Sequence, residues 1–194
     1  MTSCCTGFQI SPDLDIVTYT LADLANPETG WGILNDTFHV LGQLAVYGSP
    51  QWFHLGDRDL VTHIHRTAML HAGALLSEVA DSIRKAHNVK ARILPMSDQP
   101  VPTMIDTDQG HFHFQEYLVQ RSAEPTVRAI CFDGIESARP APGVLEALQR
   151  APCVVICPSN PLINIEPILA VAGVRDGFAK TALASHCRLS NRGR

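Results

Sequence analysis

The sequence feature that most constrains the fold is the continuous apolar run CVVIC, residues 153–157. A run without alternation between apolar and polar side chains is typical of a strand that is buried on both faces of a parallel sheet. Segments with helical periodicity alternate with this run and with other strand candidates, which is the pattern of layered α/β proteins. We therefore predict an α/β fold with a mainly parallel sheet, flanking helices and one antiparallel hairpin.

The first part of the chain is predicted to be mostly helical. In ISPDLDIVTYTLADL, Ser11 suits the N-cap, Pro12 the first helical position and Asp13 the positive end of the helix dipole. In NDTFHVLGQLAVYG, Asp36 is the expected N-cap and Gly48 the expected stop.

Two further helices are predicted after the turn GDRD, residues 56–59. Apolar periodicity runs from Leu60 to about His71 and resumes from Leu75 to His87. Asn88 suits a left-handed C-cap after the second of these helices.

The second part of the chain supplies the strand candidates. ARILP (91–95) and VRAICF (127–132) are each predicted to form a strand, the first of them buried. Between them, TMIDTDQGHFHFQEYLV predicts a hairpin with its turn near Asp108–Gly110 and alternation along HFHFQEYLV. GVLEALQR (143–150) is predicted to be a short helix.

Length and composition bound the class of protein. With 194 residues, 45% of them hydrophobic and 18% charged, the chain fits a single soluble domain over residues 1–194. A formal net charge of −4 without a basic stripe gives no reason to expect nucleic-acid binding. No apolar run is long enough to cross a bilayer and no signal-peptide pattern is present, so we expect a cytoplasmic protein.

Cysteines and histidines show no metal-site pattern. The sequence contains no CxxC pair, and the cysteines beside apolar runs, Cys131, Cys153 and Cys157, are expected to be buried, reduced thiols. The histidine pairs in 63–65 and 111–113 each lack a third ligand at a zinc-motif spacing. We therefore expect satisfied or solvent-facing histidines.

Two acidic segments suit either chemistry or helix structure. In PDLD, Asp13 and Asp15 fall in the first turn of a helix, where they can bind Mg²⁺ directly or through water, or else only complement the helix dipole. In GDRD, Asp57 and Arg58 follow a glycine, and the guanidinium can hold a carboxylate or phosphate with two hydrogen bonds. The alternative for that turn is a capped helix start with a local ion pair. Spacing alone leaves both alternatives open.

Two polar loops follow predicted strands. In open parallel sheets the ligand crevice lies beyond the carboxyl ends of the strands. Ser159 and Asn160, in the PSNP loop after CVVIC, are therefore candidates to meet a ligand. Ser97 and Asp98, in PMSDQP after ARIL, are candidates for the same crevice. Simple Pro-bounded and Asx-type turns are the alternatives.

In six segments the chain closely resembles the 2-phospho-L-lactate transferase family of coenzyme F-420 biosynthesis: ISPDLDIVTYTL, GWGILNDTF, WFHLGDRDLVTHI, RILPMSDQPV, HFQEYLV and PSNPLINIEPIL. The match runs from about Gly7 to Asp176. The resemblance implies a Rossmann-like α/β fold and a Mg²⁺-dependent transferase of phosphorus-containing groups.

The resemblance also implies the substrates. The donor is a guanosine-diphospho-linked lactate or enolpyruvate, and the acceptor is the deazaflavin FO. The enzyme transfers the phospholactyl or phosphoenolpyruvyl group, releases GMP and forms F-420-0 or its dehydro form. Assembly into a homodimer is left open.

The family also implies roles for individual residues. Asp15 matches a position that binds the deazaflavin or the metal beside it. His54 falls where the family usually has arginine or lysine in contact with FO, and histidine is shorter and can be neutral at pH 7. Gln99 and Pro102 stand where aspartate and arginine are often found. The predicted site residues are, for catalysis, Asp15, Asp57 and Arg58; for substrate binding, Asp15, His54, Ser97, Asp98, Ser159 and Asn160; and for the metal, Asp13 and Asp15.

The two ends of the chain differ from the family. The glycine-rich strand and turn that cradle the donor nucleotide, and the acidic turn that helps to hold Mg²⁺, do not precede Gly7, and the family continues with further strands. We therefore expect a fragment in which Cys153–Cys157 lack cover, with poor stability and little activity. Two alternatives to the transferase are a nucleotide-sugar-binding regulatory protein of the gluconeogenesis-factor type, from the same wider superfamily, and a non-catalytic remnant.

Overall fold

Two short strands begin the computed structural model, which describes residues 2–3 and 7–180, and helices lie between them and the later strands and after those strands. Two short π-helical turns, Glu116–Gln120 and Pro161–Ile165, accompany the regular elements. The helices and strands are β1 Thr2–Ser3, β2 Gln9–Ile10, α1 Pro12–Leu21, α2 His39–Val46, α3 Asp57–His71, α4 Leu76–Ala86, β3 Thr103–Thr107, β4 Gly110–His113, β5 Val127–Phe132, α5 Val144–Arg150, α6 Glu166–Ala170 and α7 Val174–Lys180.

The predicted helices are present, and local residue chemistry accounts for most of their ends. Helix α1 begins at Pro12, as predicted, although the hydroxyl of the N-cap residue Ser11 makes no capping hydrogen bond. After α4, Asn88 adopts the predicted left-handed conformation with φ 57°. Gly48, with φ 75°, lies just after the end of α2 as predicted.

The prediction that Asp36 caps α2 is wrong. Helix α2 begins at His39 with Phe38 in the N-cap position. The Asp36 carboxylate accepts instead from the backbone N–H groups of Arg58 and Asp59 at the start of α3. Asp36 Oδ1 also accepts from the N–H of Thr37, the next residue, so Asp36 caps α3 and not the helix that follows it in sequence.

The strands form open sheets in which each pairing among the described residues is antiparallel. Strands β4, β3 and β5 form one sheet in that order, and β1 pairs with β2. The predicted hairpin turn is confirmed between Thr107 and Gly110. The second hairpin strand ends at His113, because residues 114–120 turn into helix instead of continuing the alternation. The mixed α/β class is confirmed, and the parallel character is not.

Neither ARILP nor CVVIC is a strand in the described part of the chain. Residues 92–95 and 153–157 carry no strand hydrogen bonding, and near the first run only an isolated bridge joins Ser97 to Pro140. Val155 is 78% exposed. An extended run becomes a strand only when another strand takes its backbone N–H and C=O groups. None does so here among the described residues. The predicted burial of CVVIC on both faces is therefore wrong, whereas its exposure agrees with the expected lack of cover over Cys153–Cys157.

The core lies where α1, α3 and α4 meet β2. Tyr19 of α1 and Ile10 of β2 are each 1% exposed. Helix α4 contributes an apolar stripe with the spacing of one helix face, and its members are Leu76, Val79, Ala80 and Ile83.

The described cysteines are exposed, which contradicts the predicted burial. Cys131, Cys153 and Cys157 are free thiols at the surface. Cys131 points out from a strand that is largely uncovered on that side, and the other two belong to the exposed CVVIC run. The remaining three cysteines, Cys4, Cys5 and Cys187, lie outside the described residues.

Within the described ranges, no helix has both the length and the apolar composition needed to cross a membrane.

Candidate functional site

Two cavities meet at the start of α1. The loop cavity, of about 560 Å³, is lined mainly by segments 94–103 and 155–164. Pro12 and Gln115 line both cavities, so the two share a wall. The other, which we call the aromatic cavity, has a volume of about 450 Å³, and the side chains around it include Trp31, Trp52, Phe53, His54, Leu118 and Val119.

The base of the aromatic cavity is a buried polar network. Arg66, 1% exposed, donates through Nη2 to Asp15 Oδ1. Its Nη1 lies 3.0 Å from His63 Nδ1. Because a guanidinium can only donate, Nδ1 accepts, and the ring proton lies on Nε2. That Nε2 lies 3.4 Å from Asp59 Oδ1, which also accepts at 2.7 Å from the hydroxyl of Tyr19.

Burial and neighbouring charges shift the pKa values in this network. Burial raises the pKa of the Asp15 carboxyl, against the opposing charge of the Arg66 guanidinium. Burial alone would also raise the pKa of Asp59, but the contact with His63 and the hydrogen bond from Tyr19 bring it below its ordinary value. Burial, and then the negative charge of Asp59, raise the pKa of Tyr19. Tyr19 therefore stays a hydrogen-bond donor and Asp59 an ionised acceptor at neutral pH.

Asp13 and Asp15 do not face the same cavity. Side chains two positions apart on a helix point to different sides, and accordingly Asp13 lines the loop cavity and Asp15 the aromatic cavity. Among the described residues, no group of three or more His, Cys, Asp or Glu side chains is placed to hold a metal ion. Asp15 Oδ2 is nevertheless a buried oxygen without a hydrogen-bond partner within the described structure. It is suited to be one ligand of a cation.

His54 lines the aromatic cavity, and its predicted contact with FO remains a prediction. It belongs to the loop between α2 and α3, and its ring centroid lies 6.2 Å from that of Phe38. The side chain is exposed, so a longer basic residue has room at this position.

Asp57 and Arg58 lie at the start of α3 and line neither cavity. Asp57 accepts from the backbone N–H groups of His39 at 3.1 Å and Val40 at 2.9 Å. Arg58 donates through Nη1 to the carbonyl of Leu34 at 3.2 Å. Both side chains thus hold the turn together, and the predicted catalytic role remains a prediction.

The predicted loop residues divide between cavity lining and helix capping. Ser97 and Ser159 line the loop cavity. Asp98 instead accepts from the backbone N–H of Ser77 at 2.7 Å, in the first turn of α4. Asn160 caps the π-helical turn Pro161–Ile165 through its side-chain oxygen. The two loops therefore meet at one cavity, although neither follows a strand, as the prediction assumed, and only one residue of each pair lines it.

The family model described as 2-phospho-L-lactate transferase CofD matches residues 3–191 of the chain. The chain belongs to this family. Phosphoenolpyruvate transferase of Streptomyces griseus subsp. griseus is 46% identical over 182 residues, which are 91% of this chain and 57% of that protein. Phosphoenolpyruvate transferase of Thermobifida fusca is 43% identical over 178 residues, 89% of this chain and 55% of that protein. The chain spans little more than half the length of these curated relatives.

Solved structures agree with the fold of this 2-phospho-L-lactate transferase family member. Protein BH3568 of Bacillus halodurans superimposes with a TM-score of 0.54 at 18% identity, over 88% of this chain and 52% of that one. A second crystal structure of the same protein, described as a member of the UPF0052 family, gives a TM-score of 0.52 at 17% identity, over 83% of this chain and 47% of that one. Identities this low show the fold alone.

Sequence reasoning identified Asp15 but not the residues of α3 at the base of the aromatic cavity in this family member. Asp59, His63 and Arg66 follow one another at spacings of four and three, so they lie on one face of α3. The spacing indicates a polar face of the helix, but such a face is ordinarily exposed to solvent. Here it is turned inward, towards Asp15 and Tyr19 on α1.

Proposed function

We propose that this chain contributes to the transfer of a phosphoenolpyruvyl or 2-phospholactyl group to the deazaflavin FO. The donor is guanosine-diphospho-linked enolpyruvate or lactate. The terminal ribityl hydroxyl of FO bonds to the phosphorus that carries the enolpyruvate or lactate, the bond from that phosphorus to GMP breaks, and the hydroxyl proton is lost. The products are GMP and dehydro-F-420-0 or F-420-0. Relatives named phosphoenolpyruvate transferase favour the enolpyruvate donor.

The observation that carries the proposal is the aromatic cavity with its polar base, next to a second cavity across one shared wall. Trp52 and Phe53 provide aromatic surface on which a flat ring system can stack. A volume of about 450 Å³ is within the ordinary range of small-molecule sites. Asp15 Oδ2, which lacks a hydrogen-bond partner within the described structure, can bind either a hydroxyl of the acceptor or the metal beside it.

The loop cavity suits the donor. Ser159 Oγ accepts from the side-chain amide of Asn164 at 2.7 Å and keeps its own O–H as a donor. Hydroxyl and amide donors of this kind are suited to phosphate oxygens. A donor held here and an acceptor held in the aromatic cavity meet at Pro12 and Gln115, where the two cavities adjoin. Holding two reactants in line is the main task of such an enzyme.

Mg²⁺ is part of the proposal, with Asp15 Oδ2 as its described protein ligand. Proteins commonly hold this ion through one or two carboxylates together with substrate phosphates, so a single protein oxygen is compatible with a site. Asp13, on the loop-cavity side, is proposed to contact the ion through water. When bound, Mg²⁺ supplies neutralisation of the charge on the donor phosphates.

Titration of the purified protein with FO, followed by deazaflavin fluorescence with and without Mg²⁺, tests the proposal. We expect saturable binding that weakens in Asp15→Asn. The matched control is Asp108→Asn, whose carboxylate accepts from the Thr126 N–H in an exposed loop and lines neither cavity. A protein that melts cooperatively and yet binds no FO would refute the transferase proposal.

Two further measurements separate the proposal from its alternatives. A regulatory protein would bind a nucleotide sugar and not FO, whereas a remnant would show no cooperative melt. If FO binds, release of GMP from the enolpyruvate and lactate donors should then be compared. Turnover with one of them would identify the donor.

A further inference from the structure

The starts of α2 and α3 cap each other. Asp36, which precedes α2, accepts from Arg58 N–H at 2.9 Å and from Asp59 N–H at 3.1 Å in the first turn of α3. Asp57, the first residue of α3, accepts from His39 and Val40 N–H at the start of α2. Asp36 thus satisfies backbone donors that are left free at the N-terminus of α3, and Asp57 satisfies those at the N-terminus of α2. We call this arrangement the cross-cap.

The cross-cap is closed by two further bonds and a tight contact. Asp57 N–H donates to the carbonyl of Thr37 at 2.7 Å, and the Thr37 hydroxyl donates to Asp57 Oδ2 at 2.6 Å. A methyl group at Gly56 would lie 2.2 Å from Asp36 Oδ2. The φ of Gly56 is −71°, which any residue adopts, so the approach of Asp36 is what requires glycine there.

The loop between the two capped helices forms one wall of the aromatic cavity. Residues 52–55 carry Trp52, Phe53 and His54 into the lining. The backbone hydrogen bonds that hold this loop, within the part of the chain that the structure describes, lie at its two ends: Ser49 N–H to the carbonyl of Leu44, and the Asp57–Thr37 bond of the cross-cap. The position of this wall therefore depends on the hydrogen bonds at the two ends of the loop.

The same arrangement fixes the wall relative to the base of the cavity. Helix α3 carries Asp59 and His63 into that base, and its first turn is held by Asp36. At the start of α2, Phe38 belongs to the turn that Asp57 caps, and its ring lies next to that of His54. Releasing the cross-cap removes the hydrogen bonds that hold the start of α3, where the loop ends, against the start of α2.

We infer that Asp36 and Gly56 are positioning residues for the deazaflavin acceptor, because the cross-cap sets the wall of Trp52, Phe53 and His54 against the base formed by α3. This inference rests on the proposed function. Neither residue lines the aromatic cavity, so each acts through the loop and not by touching the ligand.

The test compares FO affinity in variants matched for loss of a helix cap. Asp36→Ala removes the acceptors for α3 and is expected to weaken FO binding about tenfold or more, since a wall displaced by an ångström is no longer complementary. Asp36→Asn retains one side-chain oxygen and therefore one of the two acceptors, because an amide nitrogen cannot accept from a backbone N–H, so it should recover part of the affinity. The control is Glu78→Ala, which removes the acceptor of Leu75 N–H at the start of α4 and lines neither cavity.

Gly56→Ala gives a second, independent variant if Asp36→Ala fails to fold. Its methyl group displaces the Asp36 carboxylate, so FO binding should weaken in the same direction. Affinities are compared at a temperature at which circular dichroism shows each variant to be folded. Wild-type affinity in both Asp36→Ala and Gly56→Ala would overturn the inference, and so would an equal loss in Glu78→Ala.

A spectroscopic measurement distinguishes failure of this inference from failure of the proposed function. The chain has two tryptophans, so Trp31→Phe leaves Trp52 as a reporter of the wall. In that background, Asp36→Ala should increase iodide quenching of Trp52, while Glu78→Ala should not. If the folded wild type binds no FO, the proposed function fails, and the role of Asp36 in acceptor binding fails with it. Unchanged quenching would overturn the positioning of the loop irrespective of the ligand.

Discussion

Replacing Arg66 with methionine is expected to destabilise the protein more than any surface substitution. Methionine retains most of the apolar stem but leaves the Asp15 carboxylate, 5% exposed, without its guanidinium partner. It also removes the donor to His63 Nδ1 and to the Gln9 carbonyl. Removing one partner of a buried ion pair typically costs about 3–5 kcal/mol. For a domain of this size that corresponds to a fall in Tm of roughly 6–20 °C, at about 2–4 °C per kcal/mol.

Urea denaturation and thermal melts followed by circular dichroism measure this loss. The control is Arg175→Met, which breaks the exposed pair with Glu166 and should cost about 0–1 kcal/mol. The double variant Asp15→Leu with Arg66→Met removes both buried charges and should recover most of the stability. A loss in Arg66→Met no greater than in Arg175→Met would contradict the reasoning. A double variant no more stable than the single one would do so too.

Three further predictions follow from single residues. Hydrogen bonds from Thr37, Val40 and His39 lower the pKa of Asp57. The wild-type protein should therefore be more stable than Asp57→Asn above the ordinary Asp pKa of 3.8, and this difference should disappear as the pH falls below that value. Urea midpoints measured across the acid range check this. His54→Arg should strengthen FO binding, because a longer permanent cation then reaches an anionic or carbonyl edge of the ligand. The fluorescence titration at pH 8 checks this. An unchanged affinity would count against contact between FO and this position. Val155→Ser should change stability by less than about 0.5 kcal/mol, because the side chain is 78% exposed; a loss above about 2 kcal/mol would mean that CVVIC is buried after all.

The helices were predictable because their signals are local. Pro12 suits only the first turn of a helix, and Asn88 tolerates the left-handed conformation in which α4 terminates. The turn at Asp108–Gly110 is set by residues adjacent in sequence. By contrast, ARILP and CVVIC were assigned from apolar character alone. Strand formation needs a hydrogen-bonding neighbour, and the residues of a run do not specify one.

Part of the cavity lining coincides with residues predicted from the sequence. Asp15, His54, Ser97 and Ser159 line the two cavities, although His54 was predicted from the family resemblance and the loops of Ser97 and Ser159 do not follow strands as expected. The cross-cap could not be predicted in the same way. Capping rules pair an aspartate with the helix that follows it, so they assign Asp36 to α2, whereas its donors lie more than twenty residues further along the chain.

Helix α3 shows why stability and binding are expected to oppose each other here. It buries His63 and Arg66, 3% and 1% exposed, while Val61 on another face is 64% exposed. Burying charge costs desolvation that an apolar replacement avoids, so stability alone does not account for this inverted face. The double variant that removes Asp15 and Arg66 should therefore be a stable protein that has lost FO binding. If this variant were as stable as the wild type and still bound FO, the buried network would neither stabilise the protein nor form part of the acceptor site.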